Sequence, residues 1–378
     1  MIKILLVFGT RPEAIKLCPV LFHLRKFPGD FQVKCCVTAQ HRSMLDQILA
    51  AFEVTPDHDL NIMRPGQSLA QSASRMLASL EPALQAERPD MVLVQGDTTT
   101  TFCAALAAFY AGINVGHVEA GLRTWDLTQP FPEELNRVLT TRLASLHFAP
   151  TQTSAENLLR EGIQAGRILV TGNTGIDAVL QVSDKLKTGV LSGGSWPGLN
   201  PRQKLILVTA HRRENFGAPL ESICRALKQL AARGDVQILY PVHRNPNVAG
   251  PVRRHLEGDP NIILCDPLEY IPFVDLMRRS YLIVTDSGGI QEEGPSLGKP
   301  VLVMREKTER PEAVHAGTVK LVGTDTERIV REAALLIDQP AEHERMCRMH
   351  NPYGDGHASE RIGDAIAAFY QTSSRSRA

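Results

Sequence analysis

Three carboxylates sit just after apolar runs or at a loop-to-helix start in the first half of the chain: Asp97 in Gln95-Gly96-Asp97, Glu119 in Val118-Glu119-Ala120-Gly121, and Glu133 in Phe131-Pro132-Glu133-Glu134. A carboxylate at the exit of a strand in an open α/β sheet faces the region where ligands bind, and it can take up or deliver a proton there. Each also has an ordinary structural alternative, as a helix cap or as one member of an ion pair. Their shared placement argues for acid–base work, provided that the strands are neighbours. Ahead of them runs Gly9-Thr10-Arg11-Pro12-Glu13-Ala14-Ile15-Lys16, a tight strand-to-helix turn whose amides can face an anion. Arg11 and Lys16 put two cations at that one strand end, where they require an acidic partner or a ligand.

The second half carries groups suited to a diphosphate. His211-Arg212-Arg213 follows the apolar run Leu205–Thr209, and an imidazole beside guanidinium groups suits a diphosphate clamp. A solvated basic turn is the alternative for one of the arginines. His243 occupies the same place one strand later, in a supporting role. The sharpest local signal is Thr285-Asp286-Ser287-Gly288-Gly289-Ile290-Gln291-Glu292-Glu293. There a strand ends in serine and two glycines before a helix, so unhindered amides and the helix dipole can receive phosphate oxygens. Glu293, one turn into that helix, can accept both hydroxyls of a ribose, or serve only as a favourable charge in the first turns. Beyond the next strand come Arg305, Glu309 and Arg310. The spacing fits neither the phosphate loop of ATP-binding proteins nor the glycine fingerprint of dinucleotide binders. Metal chemistry has no support either, since there is no H-E-x-x-H and the 12 histidines and seven cysteines form no cluster.

Elements of a particular kind must position these residues. Short β-branched runs, apolar on consecutive positions, recur with helical patterns between them: Ile2–Val7, Val33–Thr38, Met91–Gln95, Val115–Val118, Leu146–Ala149 and Ile168–Val170. Such runs suit parallel strands covered by helices on both faces. After a Gly/Ser/Pro-rich stretch at Gly189–Pro201 the series restarts at Leu205–Thr209, Val236–Tyr240, Ile262–Leu264, Leu282–Thr285, Val301–Met304 and Val319–Val322. The pattern predicts an α/β protein of two Rossmann-like, doubly wound domains, with the cleft between them as the default ligand site. A length of 378 residues and an apolar fraction of 43% agree with two cores. Lysine plus arginine equals aspartate plus glutamate at 41 each, so no global field recruits nucleic acid or an acidic membrane. No run is long enough to cross a membrane, the scattered cysteines suit a reducing cytoplasm, and the serine-rich end after Gln371 reads as frayed.

Taken together, FGTRPEAIK at 8–16, GDTTTT at 96–101, GHVEAGLRT at 116–124, HRREN at 211–215, PVHRNPNV at 241–248, TDSGGIQEE at 285–293 and TERPEA at 308–313 make the chain resemble the non-hydrolysing UDP-N-acetylglucosamine 2-epimerases of bacteria. The likeness extends over nearly the whole chain. It implies the GT-B architecture: an N-terminal domain over 1–170, a UDP-binding domain over 171–359, and a C-terminal helix over 360–378 that rejoins the first. It also implies a homodimer, UDP-N-acetylglucosamine and UDP as ligands, and no metal or redox cofactor. By the same resemblance Asp97, Glu119 and Glu133 match the catalytic carboxylates, and His211 the essential histidine. Arg11, Lys16, Arg212, His243, Ser287, Gly288, Gly289, Glu293 and Arg310 match substrate- and UDP-binding positions. Gln40 and His41 match places where a second UDP-N-acetylglucosamine activates some relatives. Gln95, Phe131, Leu135, Gly175 and Gly294 depart from residues common in the family, but none of these removes a catalytic group.

The reaction so implied inverts carbon 2 of the sugar. That carbon bears no carbonyl, so its hydrogen is not acidic, and departure of UDP must assist its removal through 2-acetamidoglucal. Rival readings are a retaining glycosyltransferase of the same fold, a hydrolysing epimerase, and a nucleotide-sugar sensor without turnover.

Overall fold

The computed structural model describes residues 1–39, 42–64 and 66–375. The chain divides into two compact units, Met1–Ala178 with Tyr353–Ala378, and Val179–Pro352, the first boundary falling inside the helix Thr174–Lys187.

The first unit is built on a seven-stranded sheet: β1 (Ile2–Phe8), β2 (Phe31–Val37), β3 (His58–Asp59), β4 (Met91–Gln95), β5 (Asn114–Val118), β6 (Leu146–Ala149) and β7 (Ile168–Val170). Its order is β3-β2-β1-β4-β5-β6-β7 and every pairing is parallel. The consecutive apolar runs are the cause, because in β4 all five residues are buried and in β1 the last five are. Each buried Leu, Ile or Val contributes about 1.5–3 kcal/mol, so the central strands anchor the unit. The strand β3 was not expected; it is only two polar residues long and has no apolar run to announce it. Gln95 pairs with Val118 in the β4–β5 register, so the exits carrying Asp97 and Glu119 lie side by side. The last helix, Ala358–Arg375, packs on the helix Arg11–Arg25 of the same unit. It extends past Gln371 to Arg375, and Thr372 Oγ1 donates to the Ala368 carbonyl within it.

The second unit carries a six-stranded sheet: β8 (Lys204–Thr209), β9 (Val236–Pro241), β10 (Ile262–Cys265), β11 (Leu282–Thr285), β12 (Val301–Val303) and β13 (Val319–Leu321). The order β10-β9-β8-β11-β12-β13 repeats the plan of the first sheet, again all parallel, with the first strand central and the direction of winding reversing beside it. Thr209 pairs with Thr285 across the β8–β11 register, and their hydroxyls lie 2.6 Å apart. The exits bearing His211 and the Ser287–Gly289 turn are thereby neighbours at the point where ligands of such sheets bind. Among the described residues no helix is long and apolar enough to cross a membrane, and no group of three His, Cys, Asp or Glu side chains is placed to hold a metal.

Candidate functional site

Glu119, at the exit of β5, is anchored from several sides. It is buried, and its backbone sits at φ +63°, in the left-handed region that costs a non-glycine residue about 1–2 kcal/mol. Lys16 Nζ reaches both of its oxygens, at 2.6 and 2.7 Å. Gln95 Nε2 donates to Oε2, and Asn173 Nδ2 donates to Oε1 at 3.3 Å. Four donated bonds from three side chains hold this carboxylate in one orientation, which offsets the cost of its backbone. They also answer the question raised by the two cations near the β1 exit. Lys16 has its acidic partner, whereas Arg11, at the first position of its helix, has none among the described residues.

Asp97 sits one strand over. It does not cap the following helix, because Thr98 is the N-cap and accepts from the Thr101 amide. Its carboxylate instead meets Arg137 Nη2 at 2.5 Å, while Asn136 Nδ2 donates to its backbone carbonyl at 2.9 Å. Burial pushes the Asp97 carboxyl up, and the negative charges of Glu119 and Glu133 add to this against the pull of Arg137 and Lys16. That shift suits a group that must exchange a proton near neutrality. Glu133 opens the helix Glu133–Leu143 and is half-buried, with no side-chain hydrogen bond among the described residues. Its charge acts on Asp97, and Glu119 Oε2 stands 3.7 Å from where a Cβ of Gly96, next to Asp97, would lie. The adjacent Glu134 has a structural task. It is buried, and its Oε1 accepts from the amides of Thr124 and Trp125, while Oε2 lies 3.3 Å from Arg137 Nη1.

The turns that aim these groups are fixed from behind. Glu13 closes a capping box with Thr10, accepting from the Gly9 and Thr10 amides at 3.0 and 2.8 Å. Its other oxygen accepts from Thr98 Oγ1 at 2.7 Å, which ties the β1 exit to the β4 exit. Gly96 adopts φ +73°, and its carbonyl accepts from the buried His117 ring at 2.7 Å. Burial holds His117 neutral, with its pKa lowered to about 3. At Gly121, φ +94°, a side chain would lie 2.2 Å from the Ser154 carbonyl, so only glycine permits the chain to pass there. Arg123, its side chain wholly buried, bonds Glu161 Oε1 at 2.6 Å and Thr141 Oγ1 at 2.8 Å, holding the far side of the same loop.

In the second unit Asp286 organises the cation cluster. Wholly buried, it accepts from the amides of His211 and Arg212, both at 2.8 Å, and from Asn215 Nδ2 at 3.1 Å. Its second oxygen lies 3.5 Å from His211 Nδ1, which places Nε2 at the outer edge of the ring. Burial lowers the His211 pKa, with His243 and Arg212 adding to the effect and Asp286 opposing it. The His243 ring stacks on His211 at 5.6 Å between centroids. Ser287 is the N-cap of the helix Gly288–Ser296, but its hydroxyl makes no capping bond. Glu293 lies on the same helix face as Gly289, its Oε1 3.9 Å from where a Cβ of that glycine would stand. Arg310 bonds the buried Glu292 through Nε, so this expected ligand contact is also an ion-pair member. Gln40 and His41 lie outside the described residues.

Several members of these clusters escape a reading of the sequence. Glu13 had a local signal, standing three residues after Thr10 in a capping-box pattern. Arg137 had a weaker one, at helical spacing from Glu133 and Glu134. Asn173 and the anchoring role of Gln95 had none, because their partner Glu119 is distant in sequence.

The chain is similar to known proteins over nearly its whole length. A family model described as UDP-N-acetylglucosamine 2-epimerase matches residues 24–367. The chain is 58% identical over 371 residues to the UDP-N-acetylglucosamine 2-epimerase of Escherichia coli (strain K12), covering 96% of this chain and 98% of that one. Among solved structures, it is similar to the UDP-GlcNAc 2-epimerase from Neisseria meningitidis bound to UDP-GlcNAc, with a TM-score of 0.86, 50% identity, and coverage of 97% and 99% of the two chains. The Methanocaldococcus jannaschii UDP-GlcNAc 2-epimerase in complex with UDP-GlcNAc and UDP gives a TM-score of 0.77 at 34% identity, with coverage of 97% and 100%.

Proposed function

The chain belongs to the UDP-N-acetylglucosamine 2-epimerase family, and we propose that it interconverts UDP-N-acetylglucosamine and UDP-N-acetylmannosamine by eliminating and re-adding UDP through 2-acetamidoglucal. In the α-linked gluco sugar the carbon 2 hydrogen and the UDP oxygen are both axial and anti. A carboxylate takes that proton as the carbon 1–oxygen bond breaks, and the bonding electrons leave with UDP. Protonation of carbon 2 from the opposite face, with return of the UDP oxygen to carbon 1, gives the manno sugar. Two faces need more than one acid–base group, and Asp97, Glu119 and Glu133 are assigned that work. The observation that carries this reading is the gathering of Asp97 and Glu119 at adjacent strand exits, with Lys16 and Arg137 on them and Glu133 nearby.

Arg11 and His211 are assigned to the negative charge that grows on the departing diphosphate, and Lys16, Arg212 and His243 to binding of the substrate. Ser287 and the amides of Gly288 and Gly289 take phosphate oxygens, the Ser287 amide itself being held by Thr285 Oγ1 at 2.9 Å; Glu293 takes the ribose, and Arg310 makes a further UDP contact. The support is the helix N-terminus at Gly288, where Ser287 makes no side-chain cap bond, and the cluster built on Asp286. The protein acts in the cytoplasm as a homodimer and supplies activated N-acetylmannosamine for surface polysaccharide. Seven free cysteines fit a reducing compartment, and the adjacent exposed rings of Phe109 and Tyr110 offer an apolar face to a second copy.

Asp97→Asn and Glu119→Gln test the assignment, because each preserves shape and removes proton-transfer capacity. Turnover of UDP-N-acetylglucosamine should fall roughly 10²–10⁴-fold in each, with UDP still bound when titrated by calorimetry. Wild-type turnover in both variants would return these residues to a purely structural role.

A further inference from the structure

The loop after β12 brings a carboxylate to the turn assigned to the diphosphate. Glu309 Oε1 lies 3.3 Å from Arg212 Nη2, and Glu309 Oε2 lies 2.5 Å from Arg305 Nη1. A Cβ placed on Gly288 would stand 3.2 Å from Glu309 Oε1 and 3.5 Å from Arg212 Nη2, so both groups lie directly over the first residue of the helix Gly288–Ser296. Burial alone would raise the Glu309 carboxyl, but its own backbone amide, Arg305 and Arg212 overcome this and hold it below the usual carboxylate range. Arg305 is in turn shared with Glu214, whose Oε1 lies 2.5 Å from Arg305 Nε.

A carboxylate at a helix N-terminus between two guanidinium groups occupies the electrostatic setting that a phosphate prefers. We infer that Glu309 is an internal anion standing in for a ligand phosphate, so that UDP binds by exchange, one of its phosphates replacing the Glu309 carboxylate on Arg212 and Arg305 at Gly288. This rests on the assignment of the diphosphate to the Ser287–Gly289 turn. Exchange has two consequences. Arg212 and Arg305 stay oriented before the ligand arrives, and the ligand gives up part of its affinity to displace a tethered competitor. A residue that only positioned the two arginines would act in the opposite sense, since its removal would loosen them and weaken binding.

The difference is measurable on the full chain by calorimetric titration with UDP and, separately, with inorganic diphosphate. Glu309→Gln keeps the side-chain volume at a position 43% exposed, so the variant should fold, and thermal unfolding checks this. It should bind both ligands more tightly than the wild type, by roughly two- to thirtyfold, the range expected for release of two partly exposed ion pairs. Equal or weaker binding of UDP by Glu309→Gln, with the wild type still binding UDP, would overturn the exchange and leave the site assignment intact. Absence of UDP binding in both proteins would instead remove the site assignment, and the exchange with it.

Discussion

Asp97 stands between opposing influences, and the balance sets when it holds a proton. Burial and two neighbouring carboxylates favour its neutral form, while Arg137 at 2.5 Å favours the charged form. Removing the guanidinium takes away the largest charge opposing burial, so Arg137→Gln should raise the Asp97 pKa further. Whichever limb of the kcat/KM profile Asp97 governs should move to higher pH in that variant, and Arg137→Lys should restore part of the shift. A profile that falls uniformly without moving would make Arg137 a packing residue. The sequence marked Asp97 and Glu119 because both follow apolar runs that end together. It could not mark what holds them. Lys16, Gln95 and Asn173 meet at Glu119 only after β1, β4 and β5 align and Asn173 is brought alongside, and Arg137 reaches Asp97 across 40 positions of chain.

At the scale of elements, the strand exits depend on supports that titrate. His117 lies within β5, is wholly buried, and bonds the Gly96 carbonyl at the exit of β4. Its pKa in the native state is lowered to about 3 from an ordinary value of 6.5. Between these values the unfolded chain takes up a proton that the native ring refuses, so the stability is complete above pH 6.5 and is lost as the pH falls toward 3. Denaturant titrations of the wild type should show this loss, on the order of a few kcal/mol over the window, and His117→Asn should lack that part of the slope. Parallel slopes in the two proteins would mean that His117 is solvated rather than sealed in the sheet. Strands with consecutive apolar residues were legible for this reason, since burial on both faces leaves no polar alternation. The strand β3 was not, because two polar residues paired at a sheet edge carry no periodic signal. The extension of the last helix past Gln371 was likewise hidden by a composition of Ser, Thr and Arg that resembles a loose tail.

Over the whole molecule, two units repeat one winding plan and differ in the chemistry at their strand exits. The first concentrates carboxylates with matched cations, and the second concentrates an imidazole, guanidinium groups and a helix N-terminus without a side-chain cap bond. The first set suits proton transfer, and the second suits a diphosphate. The consecutive apolar runs made the repetition readable, whereas the roles of Glu309 and Asp286 depend on side chains that converge from separate strand exits. In the proposed reaction carbon 2 loses its own hydrogen and receives another from the protein. Incubation of the wild-type chain with UDP-N-acetylglucosamine in deuterated water, without added metal or nicotinamide, tests this most directly when read by proton NMR. UDP-N-acetylmannosamine carrying deuterium at carbon 2 is the expected product, and UDP-N-acetylmannosamine that keeps its original hydrogen there would overturn the elimination.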